Sequence, residues 1–590
     1  MKKILVWILT ISMIMTASLA IAPIGASAES EMVVNMMIGG GTPLTMDPAL
    51  NSASNSGNYI RNAFSGLMGH FTGAAPEPDL AESYTISEDG LVYTFTLREG
   101  LKWSDGTDFL ASQVVSSWNR AASPDLGADY GFLYDYIARN EDGTLNLVAD
   151  DAARTLVVTL VNPCSYFLDL CAFTTFYPVR TDLADAEGIW ATNPETFVGT
   201  GPFVMTGYSV DDVITFVKNP YYWDAANVKL DKINCYLSED SVAILTAYEN
   251  GAVDYIQSID PTEFARLNEA YPGELEYYPT LGTYYVLINV HKDLSPASKQ
   301  LTVQEQSKAR VALGQMVNRY ELVTYVTQDG RIPATGFYPT GLSDALNPDV
   351  RASELYGTWY AGTNEISDVN ENYTVDQVTA AQTLIDLGYA YTGTLEGGDL
   401  MFTDMPAIEF AFNPTALNAL IMQYVQEAWN KFGITSNINT EAWSTLQTKL
   451  KEGDAEAARM GWLADFNDVV NFLEIFISNS GNNYPRLGRD VGTYTKASAV
   501  TMDAGLGAYW GLNGDQTWAD AFDAVVDQIK AETDPTVRAQ LAAQAEQVLM
   551  ATGGVAPLCF YTIPQMLKPN VKGVLRLTTG DVIWNHAYVE

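Results

Sequence analysis

The chain has 590 residues, 71 of them acidic and 32 basic, for a formal charge of −39. Such a surface repels nucleic acid and anionic membranes, which excludes both as partners, and it keeps the chain soluble. A hydrophobic share of 47% supports large cores, and a chain of this length divides into roughly two to four domains.

The first 28 residues read as an export signal. Lys2 and Lys3 form a basic start, Ile4 to Ala20 is almost uninterruptedly apolar, and Ala26-Ser27-Ala28 offers a small-residue cleavage site before Glu29. The competing reading is an uncleaved membrane anchor, for which the apolar core is slightly short. No cysteine lies near the cleavage site, so a lipid-modified N-terminus is excluded. Loss of Lys2 and Lys3 takes the formal charge to −41. The mature protein is expected to be exported, periplasmic or extracellular, with no lipid anchor.

Residues 32–70 alternate and turn around Met46-Asp47-Pro48. Leu91 to Leu97 alternates as a half-buried strand and leaves through the turn-rich run Arg98-Glu99-Gly100-Leu101-Lys102-Trp103-Ser104-Asp105-Gly106-Thr107. Residues 302–327 are predicted helical, with Ala309, Leu313, Met316, Val317, Tyr320 and Val323 at helical spacing. From 360 to 406 the chain is polar, rich in Gly and Asp, and reads as a long irregular excursion. Two helices follow, one lined by Trp518, Phe522, Val525 and Ile529, the other by Leu541, Val548 and Leu549. Asp534-Pro535 separates them and Gly553-Gly554 ends the second. Mixed strands and helices of this kind make an α/β or α+β architecture of several lobes.

The reactive residues are sparse. Cys164, Cys171, Cys235 and Cys559 fit no zinc spacing and are too few for a disulfide scaffold. On one helix Cys164 and Cys171 would lie about 10 Å apart, too far to pair; off it, they could pair, and buried free thiols are the plainer reading. His70, His291 and His586 are scattered, and none stands in a His-Glu-x-x-His motif. No Gly-x-Ser-x-Gly elbow and no phosphate-binding loop occurs. Nothing here implies a catalytic residue, a metal or a cofactor, although a secreted hydrolase using paired carboxylates remains the alternative of a different class. The informative run is Ala458 to Asp468. It sets Arg459 and Asp465 six residues apart around Gly461-Trp462, the groups needed to hold the two charged ends of a short peptide over an aromatic wall.

Landmarks along the chain fall in a known order. Met46-Asp47-Pro48 and Phe64-Ser65-Gly66-Leu67 come first, then Leu97 to Thr107, Gly199-Thr200-Gly201-Pro202-Phe203 and Asn219-Pro220-Tyr221-Tyr222-Trp223. Tyr248, Gly251-Ala252-Val253-Asp254, Tyr284-Tyr285-Val286-Leu287-Ile288-Asn289, Gly461 to Asp468 and Val555-Ala556-Pro557-Leu558 complete it. In this order the chain resembles the solute-binding proteins of bacterial ABC importers, in the large peptide-capturing class, and most of all oligopeptide-binding proteins.

The resemblance implies a type II periplasmic-binding-protein fold: two α/β lobes joined by two crossing segments, with an extra domain inserted in the first. Here lobe I would comprise 29–70, 186–283 and 555–590, the inserted domain 71–185, and lobe II 284–554. The crossings would fall at 283–289 and 552–558, and closure about them would bury a ligand. A site that pairs the peptide ends and extends a sheet edge along its backbone accepts many sequences. By resemblance Asp465 accepts the ligand's α-ammonium, Arg459 serves the carboxylate end for some ligand lengths, Trp462 walls a pocket, and Gly461 lets backbone approach. The family's usual cysteine in this run is Leu463 here, so its disulfide is expected to be absent. The implied partners are a short peptide and the permease subunits of an ABC transporter, the binder itself being a monomer. Relatives of this fold also bind dipeptides, sugars or metal chelates. Each site residue has a plainer reading: Asp465 caps a helix starting near Val469 or sits in solvent, Arg459 makes a structural ion pair, and Trp462 packs in a core. Trp103 and Tyr285 resemble signatures of the fold and are assigned no ligand.

Overall fold

The computed structural model describes residues 31–73, 75–185, 188–489 and 518–590; the export signal read in residues 1–28 lies outside them. Eleven strands form the central sheet. In chain order they are β1 (Val33–Met37), β2 (Phe203–Ser209), β3 (Val213–Lys218), β4 (Lys232–Tyr236), β5 (Tyr255–Ile256), β6 (Leu275–Ile288), β7 (Ile332–Pro333), β8 (Ile408–Phe412), β9 (Ser436–Thr440), β10 (Ala457–Leu463) and β11 (Val555–Leu567). Across the sheet the order is β9-β8-β10-β6-β11-β5-β1-β4-β3-β2, and β7 adds to β11. Parallel pairs occur near both ends, β1 with β4 and β5 on one side and β8 with β9 and β10 on the other.

The two long strands β6 and β11 run antiparallel through the middle. Their register slips between Pro279 and Thr283, as expected where proline withholds a ladder donor. From Thr280 to Ile288 every residue of β6 is buried, the mark of a strand covered on both faces. The pleat then divides the two cores. Tyr284, Val286 and Ile288 join Leu313, Leu384, Ile421 and Trp429, while Tyr285 and Leu287 join Phe337, Phe472, Phe476 and Val548. A third core gathers Val34, Met36, Tyr59, Phe203, Ile233 and Trp584.

A separate four-stranded antiparallel sheet orders Ala81–Ile86, Val92–Leu97, Thr155–Thr159 and Leu147–Asp150. The strand at Val92–Leu97 alternates in burial as its sequence predicts. Trp103 is wholly buried beside it, its indole N–H donating to Gln113 at 3.0 Å. This module reaches the strand β10 region by stacking Tyr166 on Phe466, centroids 4.7 Å apart.

Two sequence expectations need correction. The helix expected over 302–327 is interrupted: it runs from Val303 to Gln315 and resumes at Arg319. The buried Arg319 guanidinium donates to the carbonyls of Gly314 and Val317, closing the helix end, and also to Pro557. Asn318 then caps a second helical stretch, Arg319–Glu321, which continues as a π-helix over Leu322–Thr327. The stretch 360–406 is not wholly irregular, because it contains the helix Val375–Leu387. Thr374 and Gln377 form a reciprocal capping box and Gly388, at φ 93°, ends it. Its apolar residues Ala380, Ala381, Leu384 and Leu387 share the core of helix Val303–Gln315, which outweighs the polar composition of its flanks. Near the C-terminus Ala524–Ala531 and Pro535–Ala551 are helical, with Asp534 accepting from the N–H groups of Thr536 and Val537. All four cysteines are buried and unpaired; Cys164 precedes the short helix Phe167–Ala172 that holds Cys171.

Candidate functional site

Strand β10 carries the run that the sequence singles out. One edge pairs with β6 from Gly282–Leu463 to Ile288–Ala457. The other pairs with β8 only at Ala457 and Ala458. From Arg459 to Leu463 that second edge has no strand partner among the described residues, so its backbone groups are open to an added strand.

Alternation puts Arg459, Gly461 and Leu463 on one face and Trp462 on the other. A Cβ on Gly461 would sit 2.2 Å from the Tyr561 hydroxyl. Tyr561 therefore requires glycine here irrespective of any ligand, although Gly461 also lines a cavity of about 300 Å³.

Asp465 lies just past the strand. Its Oδ1 accepts from the Tyr130 hydroxyl at 2.5 Å and its Oδ2 from the Asn471 amide at 3.2 Å. Asn471 Oδ1 in turn accepts from the Asp465 backbone N–H at 3.1 Å and from the Trp462 indole at 3.0 Å. Asp465 makes no ion pair among the described residues. Burial raises its pKa to about 6, against the two hydrogen bonds, which favour the charged form, and with a smaller push from Glu474. This is a carboxylate held in place and short of a cation.

The helix-cap reading of Asp465 fails. The helix is Val470–Leu473, and Asp468, not Asp465, accepts from its Val470 N–H at 2.9 Å while pairing with Arg538 at 2.7 Å. Trp462 meets both of its readings: its back packs against the large core and its face lines two cavities.

Three cavities adjoin in a row. One of about 760 Å³ is bordered by Gly39, Gly40, Leu463 and Tyr561. The 300 Å³ cavity shares Ser52, Ala53, Leu463 and Thr579 with it and reaches Asp465. A third of about 600 Å³ lies beyond, sharing Trp462 and Asp465. The cation of the middle cavity, Arg61, is committed to Asp581 at 2.9 Å and to the Tyr177 hydroxyl at 2.8 Å.

Arg459 does not border these cavities. It stands behind Tyr561, donating to that hydroxyl at 3.2 Å and to Asn413 at 3.4 Å, with its guanidinium 4.7 Å from the Tyr284 ring centroid. It makes no ion pair and its Nε is buried without an acceptor among the described residues. The structural ion pair considered from sequence is therefore not what holds it.

Sequence reasoning missed Tyr130, Asn471, Tyr561 and the Arg61–Asp581 pair. Asn471 was within reach, six residues from Asp465. Tyr130, 335 positions away, carries no local signal.

Comparisons with known proteins identify the family and the fold. The sequence profile of "Bacterial extracellular solute-binding proteins, family 5 Middle" matches residues 75–484. The chain is 30% identical over 560 residues to the oligopeptide-binding protein OppA of Bacillus subtilis (strain 168), covering 92% of this chain and 91% of that one. It is 26% identical over 589 residues to the periplasmic oligopeptide-binding protein OppA of Escherichia coli (strain K12), covering 97% and 95%. Its structure matches Haemophilus influenzae OppA in complex with the peptide RPPGFSPFR at a TM-score of 0.69 and 22% identity, covering 95% and 99% of the two chains. That match gives the fold: a two-lobed α/β architecture.

Proposed function

The chain belongs to family 5 of the bacterial extracellular solute-binding proteins, and from that premise we propose that it captures short peptides between two hinged lobes and delivers them to the permease of an ABC importer. The carrying observation is Asp465, a positioned carboxylate lacking a cation at the end of an unpaired strand edge. A peptide bound along Arg459 to Leu463 adds a strand to that edge and sets its α-ammonium on Asp465. Trp462 and Gly461 then border the first residues. Six residues of extended chain span about 20 Å, so a peptide of about five residues brings its carboxylate toward Tyr561, whose hydroxyl accepts from the Arg459 guanidinium behind it.

Lobe I would comprise 29–70, 186–283 and 555–590, the inserted domain 71–185 and lobe II 284–554. In support, Val34, Phe203, Ile233 and Trp584 share one core and Ile288, Leu313, Ile421 and Trp429 another. The hinge would lie where β6 and β11 pass side by side. Residues 1–28 would direct export and be cleaved, leaving a monomeric periplasmic or extracellular binder without a lipid anchor; among the described residues no helix is long and apolar enough to cross a membrane.

A thermal-shift screen with peptides of roughly two to eight residues tests this reading. Ligand at a hundredfold excess over Kd stabilises by about 2.7 kcal/mol, and the peptide should be recovered intact. A shift with a sugar or metal chelate and none with peptides would refute it, and recovered fragments would point to a hydrolase.

A further inference from the structure

The 600 Å³ cavity beyond Asp465 lies outside the path of a peptide backbone along residues 459–463. Its size is that of a whole small-ligand site. A ligand whose ammonium rests on Asp465 and whose backbone runs along residues 461–463 turns its first side chain into it, so the role of this cavity rests on the peptide-binding function proposed for the chain.

Its walls combine apolar surface with excess negative charge. Phe132 and Val161 stand at the rim with 52% and 55% of their surface exposed, and Tyr136, Trp462 and Ile477 continue inward. Asp135, Asp465 and Glu474 border the cavity against a single base, Lys530. Asp135 is occupied by the exposed Arg139 at 3.1 Å. Glu474 is held on one oxygen: Lys530 Nζ lies 3.1 Å from Oε2 and the Tyr136 hydroxyl donates to the same atom at 3.3 Å. Its Oε1 accepts no hydrogen bond among the described residues. Lys530 comes from the last turn of helix Ala524–Ala531 and is partly open to solvent.

We propose that this cavity selects peptides whose first residue is basic, the incoming cation taking Glu474 from Lys530. The apolar stem of an arginine or lysine lies between Phe132, Tyr136 and Trp462, and its charge meets the aromatic faces and the free Glu474 oxygen. Lys530 occupies the place of that cation when the cavity is empty. Its flexible stem carries the ammonium back to water when displaced. An acidic first residue meets three carboxylates and is rejected.

Calorimetry on tetrapeptides that differ only in the first residue tests this. Citrulline has nearly the shape of arginine without its charge. Arginine-first peptide should bind wild type at least about tenfold more tightly than citrulline-first peptide. Glu474→Gln should bring that ratio close to one, and Lys530→Met should widen it. If Glu474→Gln does not fold, Phe132→Ala at the exposed rim should lower the arginine advantage several-fold. Equal binding of the two peptides to wild type overturns the proposal, as does an arginine advantage that survives Glu474→Gln or Phe132→Ala. In those cases the citrulline peptide still binds and the peptide-binding reading stands. Binding of neither peptide refutes both.

Discussion

Replacing Asp465 with asparagine should move stability and affinity in opposite directions. The carboxyl pKa rises from 3.8 to about 6 in the folded chain, chiefly through burial. For an acid with a raised folded pKa, the folded state binds protons more tightly, so ionisation costs stability above the folded pKa and nothing below the unfolded one. The rise corresponds to roughly 3 kcal/mol at neutral pH, shrinking to about 1 kcal/mol near pH 4.5. Asp465→Asn keeps an acceptor for the Tyr130 hydroxyl but turns an amide toward Asn471. The empty variant should therefore gain about 1–3 kcal/mol at pH 7, with a smaller gain near pH 4.5. The ligand ammonium, by contrast, is left buried without a counter-charge, at a cost of about 3–5 kcal/mol, a loss of hundreds-fold or more in affinity. Scanning calorimetry at the two pH values, without and with peptide, reads both effects. A variant that loses stability when empty and binds peptide as wild type does would refute the reasoning, since that is how a purely structural acid behaves.

Peptide affinity of the wild type should be flat from about pH 6.5 to 7.5 and fall by up to tenfold per pH unit below about 6, because ammonium binding needs the ionised Asp465; titration calorimetry across that range checks it, and an unchanged Kd at pH 5 contradicts it. Gly461→Ala should cost about 1–3 kcal/mol of stability, its Cβ meeting the Tyr561 hydroxyl at 2.2 Å, and Tyr561→Phe should restore part of the loss in denaturant unfolding. Arg459→Gln should weaken peptides of about five residues several-fold and leave dipeptides unchanged, because only the longer ligand spans the roughly 20 Å to it; equal effects in a length series would remove Arg459 from the site.

The parts of the fold legible in sequence were those where one local signal dominates. Alternation at Val92–Leu97 survives into burial, and Asp534-Pro535 starts a helix because both side chain and ring suit its first turn. The helix at Val375–Leu387 was missed because half of its buried apolar stripe is alanine and its flanks are polar, so the Thr374 capping box was the clearer signal. The end of the helix at Gln315 depends on Arg319 reaching a carbonyl of β11, a tertiary contact no window of sequence contains. The site divides in the same way. Asp465, Trp462 and Gly461 share one short run, yet the groups that hold Asp465 and fill the space over Gly461, Tyr130 and Tyr561, arrive from distant segments. Arg459 was visible as a charge, but its place behind Tyr561 was not.

The most direct test of the central claim compares one tetrapeptide with its N-acetylated twin on the wild-type protein by titration calorimetry. Acetylation removes the ammonium and leaves the backbone that pairs with residues 459–463 unchanged. If Asp465 is the anchor, the acetylated peptide should bind hundreds-fold more weakly, and Asp465→Asn should bind both peptides equally, because each change deletes the same contact. Equal binding of the free and acetylated peptides to wild type would show that the ligand's ammonium does not rest on Asp465.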